Sequence, residues 1–439
     1  RARRSPGSTL KPFIYALALE QGLIHPMTLL EDSPRSFGGY DPENFDHGFR
    51  GPLSAGDALR ASRNLPAIAL AARLRNPDLY AFLQRAGVAL PRDADHYGLS
   101  LVLGGAEVTM RELAQLYAML ANQGLLRPAR LSPEASSPPV RLLSPEAAFV
   151  TLSMLEDPRS MLRTPQGVLP LRLKTGTSNG FRDAWAAGVA GQYVLVVWVG
   201  NFDNRGNPLL VGGEVATPLF LDMARALASV RPLRDLVAGH REALNLRQVD
   251  VCTATGDPDT SLCGDVTSVL FIPGVSPVRS SGVFRTILVD RETGLRACAP
   301  VPGRTEERVW EFWPTDLQRI FLRAGIVKPP PPPFSPECAA SAAAGEGTAA
   351  GEPPRIRIPK EGVVYRMPLS DPARGRIPLT ADTDADARSV FWFAGERFLG
   401  RSAPGRELLW TPPPGITELH VVDELGRAAR RRLVVRVAP

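Results

Sequence analysis

The chain has 439 residues, 44% hydrophobic and 22% charged, a balance that excludes a disordered or fibrous protein and suffices for two or three domains with cores of their own. Its net charge of +6 comes from 51 basic residues scattered among 45 acidic ones and not from a basic stripe, so nucleic-acid binding is not expected. The longest apolar run, residues 193–199, is far short of the roughly 18 residues that span a bilayer, and Arg1-Ala2-Arg3-Arg4 leads into Pro6-Gly7 and not into an apolar segment, so either the protein is cytosolic or its targeting segment lies upstream.

In chain order, the first element is a helix: Leu10, Phe13, Ile14 and Leu17 recur at helical spacing after a Pro-Gly turn and read as buried. At its start Ser8-Thr9-Leu10-Lys11 sets a hydroxyl and an amine three residues apart, on one face of the opening turn. Lysine is rare here: Lys11, Lys174, Lys328 and Lys360 are the only four among the 51 basic residues. An ammonium can give up its proton at a desolvated site, whereas a guanidinium effectively cannot. Lys11 is therefore a candidate base for Ser8 as nucleophile. By itself the pattern reads first as an N-cap serine and a solvated first-turn lysine.

Ser62-Arg63-Asn64 follows a helical Ala-Leu-Arg-Ala run and supplies a second hydroxyl and a side-chain amide; alone it is no more than a helix end or turn. Residues 110–122 form another helical stretch, with Leu113, Leu116, Tyr117 and Leu120 on one side, and a Pro/Ser-rich loop follows near 132–139. From Leu171 the pattern turns to strands, 171–175, 184–189 and 193–200, the last two joined as an antiparallel hairpin. The first carries Lys174-Thr175-Gly176-Thr177-Ser178. On a strand Lys174 and Thr175 project to opposite faces, Gly176 admits a substrate backbone, and Thr177 offers its N–H as an oxyanion donor. The plain alternative is an edge strand with a Gly bulge.

Cys252 and Cys263 flank a loop-like stretch that a disulfide would close, and Cys298 and Cys338 could form a second pair; free buried thiols fit equally, while a zinc site lacks any Cys-x-x-Cys or His pair. Residues 329–333 are all proline, and an Ala/Gly/Glu-rich run to Pro354 holds too few apolar residues for a core. The expected organisation is a first domain at 1–245, a Cys-containing extension of it at 246–327, a linker at 328–354, and a small β-sandwich at 355–439 built from short alternating runs.

Ser-x-x-Lys, Ser-x-Asn and Lys-Thr-Gly in this order resemble the active-site signature of penicillin-binding proteins and serine β-lactamases. Gly7-Ser8-Thr9-Leu10-Lys11-Pro12-Phe13, Ser62-Arg63-Asn64-Leu65-Pro66-Ala67, Leu103-Gly104-Gly105-Ala106-Glu107, Asp183-Ala184-Trp185 and Trp198-Val199-Gly200-Asn201 look like class A penicillin-binding proteins. The Cys-containing segment, Pro-rich linker and terminal β domain are similar to the 1C subgroup of that class. The resemblance implies an α+β transpeptidase fold, an antiparallel sheet flanked by helices plus a helical lobe, followed by a small all-β sandwich. It implies a peptidoglycan D,D-transpeptidase on the periplasmic side of the bacterial inner membrane, acting on D-Ala-D-Ala stem peptides, acylated by β-lactams, and needing no cofactor or metal. Ser8 would be the nucleophile and Lys11 its base. Ser62 would relay a proton, Asn64 would hold the substrate amide, and Lys174 would bias the site positive. Thr175, Gly176 and Thr177 would line the substrate, and the N–H groups of Ser8 and Thr177 would form the oxyanion hole.

Class A members place a membrane anchor and a glycosyltransferase domain before this region, and strands before the nucleophile helix, so an exposed sheet edge is expected here. A D,D-carboxypeptidase would use the same motifs with water as acceptor. A compact β-lactamase is disfavoured by the appended domain and by the absence of a deacylating Glu motif between Asn64 and Lys174. A non-catalytic β-lactam or muropeptide sensor shares the motifs, and the last domain is a candidate docking module for a protein or glycan. In that domain Arg427, Arg430, Arg431 and Arg432 form the densest charge run, read first as a solvated hairpin face.

Overall fold

The computed structural model describes residues 2–438 apart from 36, 38–39, 131–137, 166, 339–350 and 369–374. It divides into two compact units, residues 1–260 with 265–279, and residues 261–264 with 280–439.

In the first unit a 3₁₀ turn, Gly7–Leu10, runs directly into helix α1 (Lys11–Glu20). Pro12 lies in the first turn of α1, where its missing N–H breaks no helical bond. Residues 13–19 are buried on every side, which makes α1 the central helix of the lobe. Strands β1 (Leu29–Asp32) and β2 (Gly51–Ser54) form an antiparallel ribbon that leads into α2 (Ala55–Arg60) and α3 (Asn64–Ala71). Then come α4 (Leu79–Arg85), α5 (Ala94–Tyr97), a 3₁₀ turn at Gly98–Leu103, α6 (Met110–Ala121), the short pair β3 (Leu125–Leu126) and β4 (Val140–Arg141), and α7 (Pro145–Met154). Side chains set the helix starts. Ser54, Asp78 and Ser144 each accept a bond from the N–H three residues on, and Thr109 and Glu112 form a reciprocal capping box on α6.

The main sheet is antiparallel and ordered β5 (Met161–Thr164), β6 (Gly167–Thr177), β7 (Asp183–Ala190), β8 (Tyr193–Gly200). Every residue of β7 is buried because both faces are covered. Trp185, Ala187 and Val189 join the core built on α1 and α6, while Ala186 and Ala190 join a second cluster with Phe220 and Ala224 of α8 (Thr217–Val230). That double coverage explains a strand of small residues instead of an alternating one. A short α9 (Leu236–Gly239) and an antiparallel pair, β9 (Arg247–Cys252) and β10 (Val266–Phe271), complete the unit.

The second unit opens with the hairpin β11 (Phe284–Asp290) and β12 (Thr305–Glu311) and the helix α10 (Thr315–Arg323). Its larger part is a β-sandwich. Strands β13 (Arg355–Ile358), β15 (Ile377–Asp382) and β18 (Leu408–Trp410) form one sheet. The other runs β14 (Val364–Pro368), β20 (Ala428–Ala438), β19 (Gly415–Asp423), β16 (Val390–Ala394), β17 (Arg397–Ser402). Leu379, Ala381, Val390, Trp392, Leu419, Val421 and Leu433 fill the space between them. Mixed helix and sheet followed by a β-rich domain is the architecture anticipated above.

The division of the chain differs from the sequence expectation. Residues 280–327 lie in the second unit and do not extend the first. The reason is a set of buried ion pairs that no periodicity announces: Arg285 with Asp384, Arg296 with Asp386, and Arg319 with Asp382. Nor is 329–338 a free tether. Pro333 O accepts from Arg296 N, the Phe334 ring lies 4.0 Å from the Arg296 guanidinium, and Cys298 is disulfide-bonded to Cys338. Cys252 and Cys263 are disulfide-bonded as well, so no cysteine is free. Residues 339–350 of the expected linker, and 131–137 of the Pro/Ser-rich loop, lie outside the described residues.

Candidate active site

Three segments converge: the 3₁₀ turn that carries Ser8, the α2–α3 junction that carries Ser62 and Asn64, and the end of β6 with Lys174 to Thr177. The turn is seated against backbone. Gly7 has φ +53°, and a Cβ there would lie 2.6 Å from Thr177 O and 2.8 Å from Thr177 N. Gly104, φ +90°, presses on the main chain of Gly7, and Ser5 Oγ donates to Gly104 O at 2.8 Å. A side chain at Gly176 would strike Pro6 O, so the close approach at this glycine is made by the chain's own turn. We expect Gly104→Ala, which adds both a left-handed strain and a collision with Gly7, to cost about 1–3 kcal/mol in a denaturant titration.

Lys11 is fully buried and Lys174 is 2% exposed. Lys11 Nζ donates to Ser62 O at 2.5 Å and to Asn64 Oδ1 at 2.6 Å, with Ser62 Oγ at 3.4 Å. Lys174 Nζ donates to Ser62 Oγ at 2.7 Å and to Thr175 O at 3.1 Å. Ser62, held at φ +57° between two helices, is thus the bridge between the two amines. Burial lowers the Lys11 pKa well below the ordinary lysine value, helped by the charges of Lys174 and Arg63 and opposed by Asp32. Burial alone lowers Lys174 to about 7. A neutral Lys11 has two N–H bonds, which match its two carbonyl acceptors and leave the nitrogen lone pair for a proton. The Ser8 hydroxyl is half-buried, and no hydrogen bond to it exists among the described residues.

Two of the expected site residues also have partners within the protein. Asn64 Nδ2 donates one of its two N–H bonds to Glu43 O at 2.6 Å and Oδ1 accepts from Lys11, so Asn64 positions Lys11 and keeps a second amide N–H. Thr177 Oγ1 accepts from Gly212 N at 3.0 Å, which leaves its own O–H to donate.

The residues that hold Ser62 and Asn64 in place were not singled out from the sequence. Arg63 is buried, with Nε on Asp32 Oδ2 at 2.6 Å and NH1 on Asp46 Oδ2 at 2.8 Å; Asn44 donates to Asp32 at 2.7 Å and accepts from Asn64 N at 2.7 Å. Arg63 stood inside a quoted motif, but Asp32 comes from the end of β1 and Asn44 from the loop after it, with no local signal. Arg63→Met would strand the Asp32 carboxylate in the interior, and a loss of about 3–5 kcal/mol in chemical denaturation is expected. At the rim, Phe45 and Phe181 meet edge to face, ring centroids 5.7 Å apart. Trp185 Nε1 donates to Ser5 O at 2.8 Å, and Trp198 Nε1 to Asp183 Oδ1 at 3.0 Å, which ties the quoted tryptophans to the turn and to the sheet.

Two buried lysines bridged through Ser62, with Ser8 on the adjoining turn of this sheet and lobe, define a class. Residues 1–225 match the penicillin binding protein transpeptidase domain and residues 343–437 the Penicillin-Binding Protein C-terminus Family. The chain belongs to the penicillin-binding protein transpeptidase family. Among individual relatives it is 33% identical to penicillin-binding protein 1C of Escherichia coli over 99% of this chain and 56% of that protein. It is 31% identical to penicillin-binding protein 1A of Clostridium acetobutylicum over 45% of this chain and 28% of that one. The chain thus spans little more than half of the first relative and under a third of the second. In three dimensions it resembles penicillin-binding protein 1A from Haemophilus influenzae, with a TM-score of 0.50 and 25% identity over 64% of this chain and 50% of that one.

Proposed function

We propose that this chain is a peptidoglycan D,D-transpeptidase with Ser8 as nucleophile. The observation that supports it most is Lys11: buried, its pKa lowered, and with both N–H bonds of its neutral form directed to carbonyls. Ser8 Oγ attacks the carbonyl carbon between the last two D-alanines of a stem peptide while its proton passes to Lys11 Nζ. The oxyanion is stabilised by the N–H groups of Ser8 and Thr177. Ser62 Oγ, in reach of both lysines, relays the proton to the departing amine; the C–N bond breaks and D-alanine leaves an ester on Ser8. Lys174 favours the terminal carboxylate electrostatically, and the hydroxyl of Thr175 or Thr177 donates to it. The amine of a neighbouring stem then attacks the ester and restores Ser8. Penicillin acylates the same oxygen. The working location is the periplasmic face of the inner membrane, in a longer protein with a membrane anchor and a glycosyltransferase domain.

The test is to incubate the chain with a D-Ala-D-Ala-terminated stem peptide and an amine-bearing acceptor stem. Free D-alanine beyond one equivalent, together with a cross-linked product, is expected. Release accompanied only by the hydrolysed peptide would make it a carboxypeptidase, and release that stops at one equivalent would make it a sensor.

A further inference from the structure

The outward face of the five-stranded sheet in the second unit is basic and aromatic. Leu419, Val421, Leu433, Val435, Val390 and Trp392 point into the sandwich, so the residues between them point out. Strand pairing then aligns Arg430, His420, Phe393 and Phe398 in one row across β20, β19, β16 and β17, and Ala428, Val422, Phe391 and Arg401 in the next. Three inter-strand steps make each row about 14 Å long. Phe398 is 54% exposed, its ring 5.4 Å from that of Phe393, and the Arg401 guanidinium lies over Phe391. Further along, Arg432 and Arg436 also face outward, and Arg366 on β14 stands directly beside Arg436.

Among the described residues, Arg366, Arg430, Arg432 and Arg436 have no ion-pair partner. The one outward carboxylate on these strands, Glu418, stands opposite Arg432 in register and lies 3.3 Å from His420 Nε2, while Arg366 and Arg436 face each other with no carboxylate between them. Like charges opposite each other on a sheet destabilise it, so the face costs the fold something that an anionic partner would relieve. We infer that this face binds a strand of peptidoglycan, with sugar C–H faces on the phenylalanine rings and stem-peptide carboxylates on the arginines. The identity of the polymer rests on the proposed function; the anionic and ring-stacking character of the ligand does not.

The test uses the full chain, its active site first blocked with benzylpenicillin, in co-sedimentation with protease-cleaned sacculi. Wild type should pellet, and rising salt should release it. Arg430→Glu combined with Arg432→Glu, and separately Phe398→Ala, should each weaken pelleting by about tenfold or more while penicillin acylation is unchanged. Pelleting that survives both variants overturns the inference. Pelleting only with sacculi that retain bound protein overturns it in favour of an acidic protein partner. Binding to anionic phospholipid vesicles but not to sacculi overturns it in favour of a lipid surface. Loss of acylation in Ser8→Ala with pelleting intact would leave the inference standing, and wild type that pellets but is never acylated would count against the proposed function instead.

Discussion

Incubation with benzylpenicillin should raise the intact mass of the chain by one drug molecule, and Ser8→Ala should abolish the increment altogether. The more telling variant is Lys11→Arg. It keeps a long cation and two or more donors for Ser62 O and Asn64 Oδ1, but a guanidinium does not surrender its proton. If Lys11 is the base, the acylation rate in Lys11→Arg should fall by about 10²–10⁴-fold, the usual share of general base catalysis. A rate within a few-fold of wild type on a folded protein would transfer that role elsewhere, with Lys174 the first group to examine.

The second large effect is on pH. Acylation needs a neutral Lys11, so its rate should rise with pH along an acid limb. The two lysines bridge through Ser62, so the midpoint belongs to the pair and not to either residue. Lys174→Met removes one of the charges that depress Lys11, so Lys11 keeps its proton to higher pH and the midpoint should move upward. A midpoint that stays or falls would mean the two amines do not sense each other. Stability follows the same logic. Lys174 lies at about 7 in the fold against 10.5 in the open chain, so the unfolded state binds more protons between those values. Stability contributed by this group is full above pH 10.5 and is lost as pH falls toward 7. Lys11 acts in the same direction. In denaturant titrations between pH 9 and 6, wild type should therefore lose stability relative to Lys11→Met, whose apolar side chain has no proton to take up.

What could be read from the sequence follows from how local each signal is. Ser8 and Lys11 share one helical turn, and Lys174 to Thr177 share one strand, so spacing alone was enough to group these side chains. Ser62 sits 54 residues from one and 112 from the other, and only the motif order linked it to them. Asp32 and Asn44 could not be found in this way. Their value lies in how the end of β1 and the loop after it meet Arg63 and Asn64, a tertiary fact without periodicity. That Glu43 O takes one N–H of the Asn64 amide is likewise a tertiary fact with no local signal. The boundary near residue 280 was hidden for a similar reason. Proline and small residues marked 328–354 as the composition change, but arginines and aspartates about 60–100 residues apart decide which strands travel together.

The seating of the serine turn limits how such a site can escape a drug. Gly7, Gly104 and Gly176 each abut main-chain atoms, so no trimming of a neighbouring side chain makes room for a new one. A change there should disturb the proposed acyl transfer as readily as acylation by a β-lactam. Variation that lowers affinity for a β-lactam and spares the native peptide has more latitude at the mouth of the site, where Phe45 and Phe181 meet each other through rings and not through backbone. Resistance by point substitution should therefore map to that aromatic pair and its flanking loops, with the interior preserved in clones that survive selection.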